Sequence, residues 1–360
     1  MEKLFGGDNM KGRLILENGL VFEGLNFGAK DTKIGEICFC TSMVGYQDLL
    51  SDPSYFGKLV VMSYPLIGNY GLTDEDYDFK NIYMNGYIVR ENNDLPSNFR
   101  STRTLSDAME ENHVSGLSDV DTRELVRLIR DNGSMKAMLT FEDNSLENDL
   151  ETLKNYQEKK DLVSLVSCKK IWYARTANPT HTIVIVDLGV KHSVVKKFNE
   201  EGLNVIITPY NVTMDQIKKL KPQGVVISNG PGNPNNYEEV VKLINSLKGK
   251  YPLLGLGLGS QLIALSYGAK VSKMKHGHLG ANYSIRNEAT GKIEILSQSH
   301  FYQIDVNEDT PLQVTHRHIM DNDIEGFIHS GDKVIGIQYL IQNTLSDSEN
   351  VIKRFIKLMK

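Results

Sequence analysis

Residues 251–268 read YPLLGLGLGSQLIALSYG: an apolar run, a turn punctuated by glycines, then a segment with helical character. A short apolar run that meets a helix through so tight a turn has the form of a sheet strand handing over to its crossover helix, with one residue displayed at the strand tip. The same grammar runs upstream. IVIVDLG (183–189), NVIITPY (204–210) and GVVISNGPG (224–232) are short apolar runs suited to buried parallel strands, and VKHSVVKKFNEEG, TMDQIKKLKP and YEEVVKLINSLKG between them read as helices. This βαβα alternation predicts a doubly wound α/β sheet with right-handed crossovers. Ligands in such sheets sit at the carboxyl ends of the strands, where SNGPGNP (228–234) and GLGLGSQ (255–261) fall.

The first half has a different character. RLILENGLVFEG (13–24) places two alternating runs around Asn18-Gly19, a hairpin signal. IGEICFCTSMVGY (34–46) and NIYMNGYIVRE (81–91) are further strand candidates. DTRELVRLIRDNG (121–133) reads as an amphipathic helix capped by Asp121 and closed by Gly133. This half is therefore mixed α+β. CKKIWYARTANPTH (168–181) breaks the periodicity and carries Pro179, so we expect an N-terminal domain over 11–168, a linker over 169–181 and a C-terminal domain over 182–360. A chain of 360 residues makes two domains the default expectation.

Bulk composition narrows the function. The net charge is −5, and KKLK (218–221), the most basic run, reads as a solvated helix end, so neither nucleic acid nor a membrane surface is expected as a partner. No apolar run approaches the roughly 20 residues of a membrane span, and MEKLFGGDNMKG has no signal-peptide apolar region, which points to the cytoplasm. The three cysteines agree with a reducing compartment; Cys38 and Cys40, two apart in a strand, share a face and read as buried thiols.

Several chemistries can be weighed at the glycine turn. GLGLGSQ lacks the lysine of a phosphate loop and misses the G-x-G-x-x-G spacing of dinucleotide-binding turns, so no nucleotide cofactor is expected. A nucleophile elbow fits the strand–turn–helix context better, but its central residue is Gly257, which carries no nucleophile. Ser260, three residues on, belongs in the first helical turn and is read as a cap or a solvated hydroxyl. His276 with His278 and His316 with His318 form H-x-H pairs, which ligate a metal only with a third ligand from elsewhere. No neighbouring residue has ligand spacing, and no metal is expected.

The ordered set TSMVGYQDLLSDPSY, SYPLIGNYG, SNF, DTR, VDLGVKHSVV, SNGPGNP, GLGLGSQLIALSYGAK, KMKHGHLGAN, TGKIEILSQSH and VTH…DNDIEGFIH resembles the small, glutamine-amidotransferase subunit of carbamoyl-phosphate synthase over about residues 11–340. The resemblance implies a small-subunit domain in the first half and a class I glutamine amidotransferase domain in the second. It also implies a partnership with an ATP-consuming large subunit that receives ammonia from glutamine, in the service of arginine or pyrimidine biosynthesis. The family's elbow resembles G-I-C-L-G-H-Q with an attacking cysteine; Gly257 stands at that position. The family's Q-Y-H-P-E carries the base and the carboxylate that orients it; here the stretch is Gln338-Tyr339-Leu340-Ile341-Gln342, so Leu340 and Gln342 replace them. Thiol attack needs all three roles in mutual contact, and their joint loss implies a chain without intrinsic glutaminase activity.

The resemblance also maps the glutamine pocket. Ser42, Gly230, Gly232, Leu258 and Gln261 match lining positions, with the amides of Gly232 and Leu258 at the oxyanion hole. The family's Q-N-H-G-F reads Gln298-Ser299-His300-Phe301-Tyr302, which trades an amide for Ser299 and puts a phenyl ring where glycine made room, with Tyr302 completing the lining. Weak glutamine binding is the expectation. Three readings follow: a catalytically silent small chain acting on a large subunit fed by free ammonia, a stand-alone regulator or small-ligand sensor, and an enzyme using an unexpected residue such as Ser260 or His300.

Overall fold

The computed structural model describes residues 10–74, 77–78, 81–341 and 347–360, and the chain divides into two compact units, Met1–Lys159 and Lys160–Lys360.

The first unit is built on strands β1 (Lys11–Leu16), β2 (Val21–Gly28), β3 (Lys33–Cys40), β4 (Leu59–Met62), β5 (Leu66–Ile67), β6 (Gly86–Ile88), β7 (Glu91–Asn92), β8 (Ser115–Ser118) and β9 (Met135–Thr140). Helices α1 (Tyr46–Leu50), α2 (Leu105–Glu111), α3 (Thr122–Asn132) and α4 (Leu146–Asn155) accompany them. Seven strands close into a barrel in the order β1-β2-β8-β6-β4-β3-β9, while β5 and β7 pair separately. The β1–β2 hairpin forms as expected, with Gly19 at φ 88 in the turn. Leu14, Leu16, Ile37, Phe39, Leu59, Val61, Ile88, Leu117 and Leu139 alternate inward to form one core, closed by Leu125 and Ile129 of α3. Asp121 caps α3 by accepting from the Glu124 amide at 3.0 Å. Cys38 and Cys40 are buried free thiols.

Two of the quoted motifs lock together here. The Gln47 side chain donates to the Thr73 carbonyl and accepts from the Thr73 amide at 3.0 Å. The Tyr70 hydroxyl accepts from the amides of Gly45 and Tyr46 while its ring stacks on Tyr46 at 4.1 Å. TSMVGYQ and YPLIGNYG thus read as halves of one hydrogen-bonded unit.

The second unit begins with α5 (Val163–Val166) and carries β10 (Trp172–Ala174), β11 (His181–Asp187), β12 (Leu203–Pro209), β13 (Gly224–Ile227), β14 (Leu253–Leu256), β15 (Lys270–Asn287), β16 (Ile293–Asp305), β17 (Gln313–His318), β18 (Ile324–His329) and β19 (Val334–Ile337). Its further helices are α6 (His192–Glu200), α7 (Met214–Leu220), α8 (Glu238–Leu247), α9 (Leu258–Ser266) and α10 (Asp347–Leu358). One sheet runs β10-β12-β11-β13-β14-β19-β18-β17-β15-β16. The segment from β12 to β19 is parallel, as the apolar runs demand.

Alternate residues of these strands feed opposite faces, so the sheet is covered on both sides. Val184, Val186, Val225, Ile227 and Leu253 pack against Ile217 of α7, Ile244 of α8 and Leu262 of α9. Ile183, Ile185, Val226 and Leu254 pack against Phe198 of α6 and Phe355 of α10. The strand order reverses between β11 and β13, so the loops after β11, β13 and β14 converge at one edge. The stretch 169–181 contributes β10, whose Tyr173 pairs with Ile206 of β12; three residues are too few for periodicity to reveal.

Candidate functional site

The elbow sits where strand order and helix start coincide. β14 ends at Leu256, Gly257 follows at φ 50 and ψ −115, and α9 starts at Leu258. That backbone conformation is costly for any residue with a side chain, and glycine adopts it freely. The Gly257 amide donates to the Ile337 carbonyl at 2.9 Å, tying the elbow to the end of β19. A Cβ at 257 would lie 3.3 Å from the Asn229 Cβ, so the loop after β13 faces the elbow.

Tight glycines make this approach possible. A Cβ at Gly259 would meet the Ile227 carbonyl oxygen at 2.0 Å, and one at Gly230 the Leu188 oxygen at 2.1 Å. Gly232 takes φ +97, with the Tyr237 hydroxyl 2.4 Å from its hypothetical Cβ. Leu258, as first residue of α9, has no intrahelical acceptor for its amide. The Ser260 hydroxyl donates to the Gly257 carbonyl at 2.7 Å and is fully buried, a local helix-end contact.

Gln261 extends from α9 and donates to the Tyr302 carbonyl at 3.1 Å and to Gln338 Oε1 at 2.8 Å. β16 bridges the segment after β19: Gln298 pairs with Tyr339, and the Leu340 amide donates to the Ser297 carbonyl at 2.8 Å. The structure therefore brings Gly230, Gly257, Leu258, Gln261, Tyr302 and Leu340 to one edge of the second unit's sheet. Ser299 is buried on β16, and Phe301 is half-buried with its ring over Gly277 of β15. Ser42 follows β3 in the first unit, and Gln342 lies outside the described residues. Three buried polar atoms in this region, Asn229 Oδ1, Gln298 Nε2 and Ser299 Oγ, have no hydrogen-bond partner.

A second cluster adjoins the first. His278 of β15 is buried, with Nε2 2.7 Å from Asp321 Oδ2 and Nδ1 3.2 Å from Glu325 Oε1 of β18. His318, the last residue of β17, places Nδ1 2.6 Å from Asp321 Oδ1, and its ring centroid is 4.5 Å from that of His278. His300 Nε2 stands 3.5 Å from Glu325 Oε2, near enough for charge but beyond hydrogen bonding, and 2.8 Å from Gln298 Oε1. Burial by itself would lower the His278 pKa, but hydrogen bonds to Asp321 and Glu325 outweigh it and push it up to about 10. Burial would raise Glu325, yet the field of His300 and the hydrogen bond from His278 hold it at about 2. Asp321 is likewise held well below the usual carboxylate range by His278 and His318, against the effect of its burial.

The H-x-H spacing does not describe this cluster. His278 meets His318 and not His276, because four strands of the sheet's antiparallel end and the turn between β17 and β18 supply its members. The signal available in sequence was the recurrence of histidine and acid in HGH, QSH and HRHIMDNDIE, which spacing alone could not bring together.

Residues 184–350, which hold the doubly wound sheet and the glycine elbow, match the family model "Glutamine amidotransferase class-I". Residues 14–139 match "Carbamoyl-phosphate synthase small chain, CPSase domain". The chain is 40% identical over 357 residues to the carbamoyl phosphate synthase pyrimidine-specific small chain of Bacillus subtilis, covering 98% of this chain and 96% of that one. The corresponding pyrimidine-specific chain of Halalkalibacterium halodurans is 41% identical, with 98% of each chain covered. The small chain of Staphylococcus haemolyticus is 40% identical over 96% of this chain and 95% of its own. This chain belongs to the carbamoyl-phosphate synthase small chain family.

Proposed function

We propose that this chain is a carbamoyl-phosphate synthase small chain that does not hydrolyse glutamine by thiol attack, and that it has a structural or allosteric role on a large subunit supplied with free ammonia. One observation carries the reading: the residue at the strand–helix elbow is Gly257, with only hydrogen where a nucleophile would stand. Leu340 offers an aliphatic side chain in the segment beside it, and Gln342 replaces the carboxylate of the family's motif. Without base or thiolate the displacement has no first step, and the loss of even one member of such a set costs orders of magnitude in rate. In this reading Gly230, Gly232, Leu258, Gln261, Ser299, Phe301 and Tyr302 of the second unit are the remnant of a glutamine pocket. The protein acts in the cytoplasm.

The test is reconstitution with a cognate large subunit and assay of carbamoyl phosphate with either nitrogen donor. Ammonium-dependent synthesis without glutamine-dependent synthesis is expected; robust use of glutamine refutes the proposal. A second reading, a stand-alone sensor of a small polar ligand, draws on the unpartnered Asn229 Oδ1, Gln298 Nε2 and Ser299 Oγ, which a bound ligand could satisfy. Calorimetry against glutamine and related amides, alongside a pull-down of the large subunit, separates the two: ligand binding without assembly favours the sensor.

A further inference from the structure

The cluster around His278 is not used by any step of amide hydrolysis described above, and its composition asks for a cation. Two groups of three metal-ligating side chains occur among the described residues, His278–His318–Asp321 and His278–His300–Glu325, with ligand atoms in each within 4.8 Å of one another. They share His278 but use opposite sides of its ring, Nε2 toward Asp321 and Nδ1 toward Glu325.

The two groups differ in access. His300 and Glu325 are sealed, with side-chain exposures of 2% and 0%. Asp321 has a side-chain exposure of 42%, so the first group opens to solvent on one side and leaves room for an entering ion and further ligands. Behind it, the buried Glu325 carboxylate takes the second nitrogen of His278, the arrangement by which metal-ligating histidines are oriented and made more basic. Asp321 and Glu325 together bring two negative charges against His278, and one Glu325 oxygen has no hydrogen bond. A divalent ion that displaces the His278 Nε2 proton sets two positive charges against those carboxylates where the imidazolium sets one.

We propose that His278 Nε2, His318 Nδ1 and an Asp321 carboxylate oxygen bind a divalent transition-metal ion of the zinc class, with Glu325 positioning His278. Two imidazoles and one carboxylate suit zinc and its borderline neighbours and leave a fourth position for water. The present N···O separations of 2.6 and 2.7 Å are those of hydrogen bonds. Ligands sharing an ion at about 2.0–2.2 Å stand about 3.3 Å apart. Asp321, the exposed member in the turn between β17 and β18, moves outward by under an ångström to admit it. The inference is independent of whether the chain hydrolyses glutamine.

The experiment uses the full chain without an affinity tag, stripped by chelator and titrated with zinc against a chromogenic competitor. One equivalent is expected to bind, and Asp321→Asn and His318→Ala are each expected to weaken it at least about tenfold. His113→Ala, an exposed histidine of the first unit, should bind as the unaltered chain does. Zinc-edge X-ray absorption of the unaltered protein, which needs no variant to fold, should show two imidazoles at about 2.0–2.1 Å. Absence of stoichiometric zinc, binding untouched by both folded variants, or a spectrum without two imidazoles overturns the proposal.

Discussion

Replacing Gly257 with alanine asks whether the elbow retains the strained backbone that a nucleophile would occupy. At φ 50 and ψ −115 a side chain costs about 1–3 kcal/mol, and the new methyl carbon would lie 3.3 Å from the Asn229 Cβ, close enough to require a small shift. For a unit of this size each kcal/mol moves the melting temperature by about 2–4 °C, so a fall of about 2–12 °C is expected. The chain's single tryptophan, Trp172 of β10, sits in the same unit and reports its unfolding selectively by fluorescence. At a backbone position that alanine tolerates, the substitution would stabilise by about 0.4–1 kcal/mol instead. A Gly257→Ala chain melting at or above the parent temperature therefore refutes the strained geometry. Gly257→Cys should carry the same penalty and still release no glutamate, because Leu340 cannot take the thiol proton.

Gly259→Ala should be far worse: its methyl would lie 2.0 Å from the Ile227 carbonyl oxygen, so α9 must leave β13, and a loss of about 3 kcal/mol or more should appear as insoluble or poorly folded protein. Asp121→Ala removes the cap that holds the Glu124 amide and should cost the first unit about 1 kcal/mol in urea unfolding. Lys58 and Glu36 form a buried pair at 2.5 Å, and Glu36→Gln, which leaves the ammonium only the exposed Glu158 carboxylate 3.9 Å away, should cost about 3 kcal/mol near neutral pH. Burial alone would lower the Lys58 pKa, but Glu36 holds it above the ordinary lysine value. The stabilisation is thus complete below that ordinary value of 10.5 and lost as pH rises through the higher folded-state pKa, so the gap between the melts of parent and variant should hold up to that value and close only above it.

Much of the scaffold was legible because its signals are local. The runs at 183–189, 204–210 and 224–232 contain most of β11, β12 and β13, since a strand buried on both faces leaves no alternation to misread. The Asn18-Gly19 hairpin and the Asp121 cap depend on residues within a few positions of one another and formed where expected. The antiparallel end of the sheet was not legible. β15 and β16 shift register between Lys273 and His278 and again between Gly280 and Tyr283, which breaks the two-residue period on which strand reading depends. The elbow was readable as a turn and its missing side chain as a fact of sequence. The His278 cluster was not, because its residues come from four strands and a turn, and the H-x-H spacing directed attention to pairs that do not meet.

The most direct measurement is glutamate release from isotopically labelled glutamine by the purified chain, alone and assembled with a large subunit, beside a relative that has cysteine at the elbow. The account expects no release above background from this chain in either state, while ammonium still supports carbamoyl phosphate formation by the assembly. Release at rates comparable to the cysteine-bearing relative would contradict it.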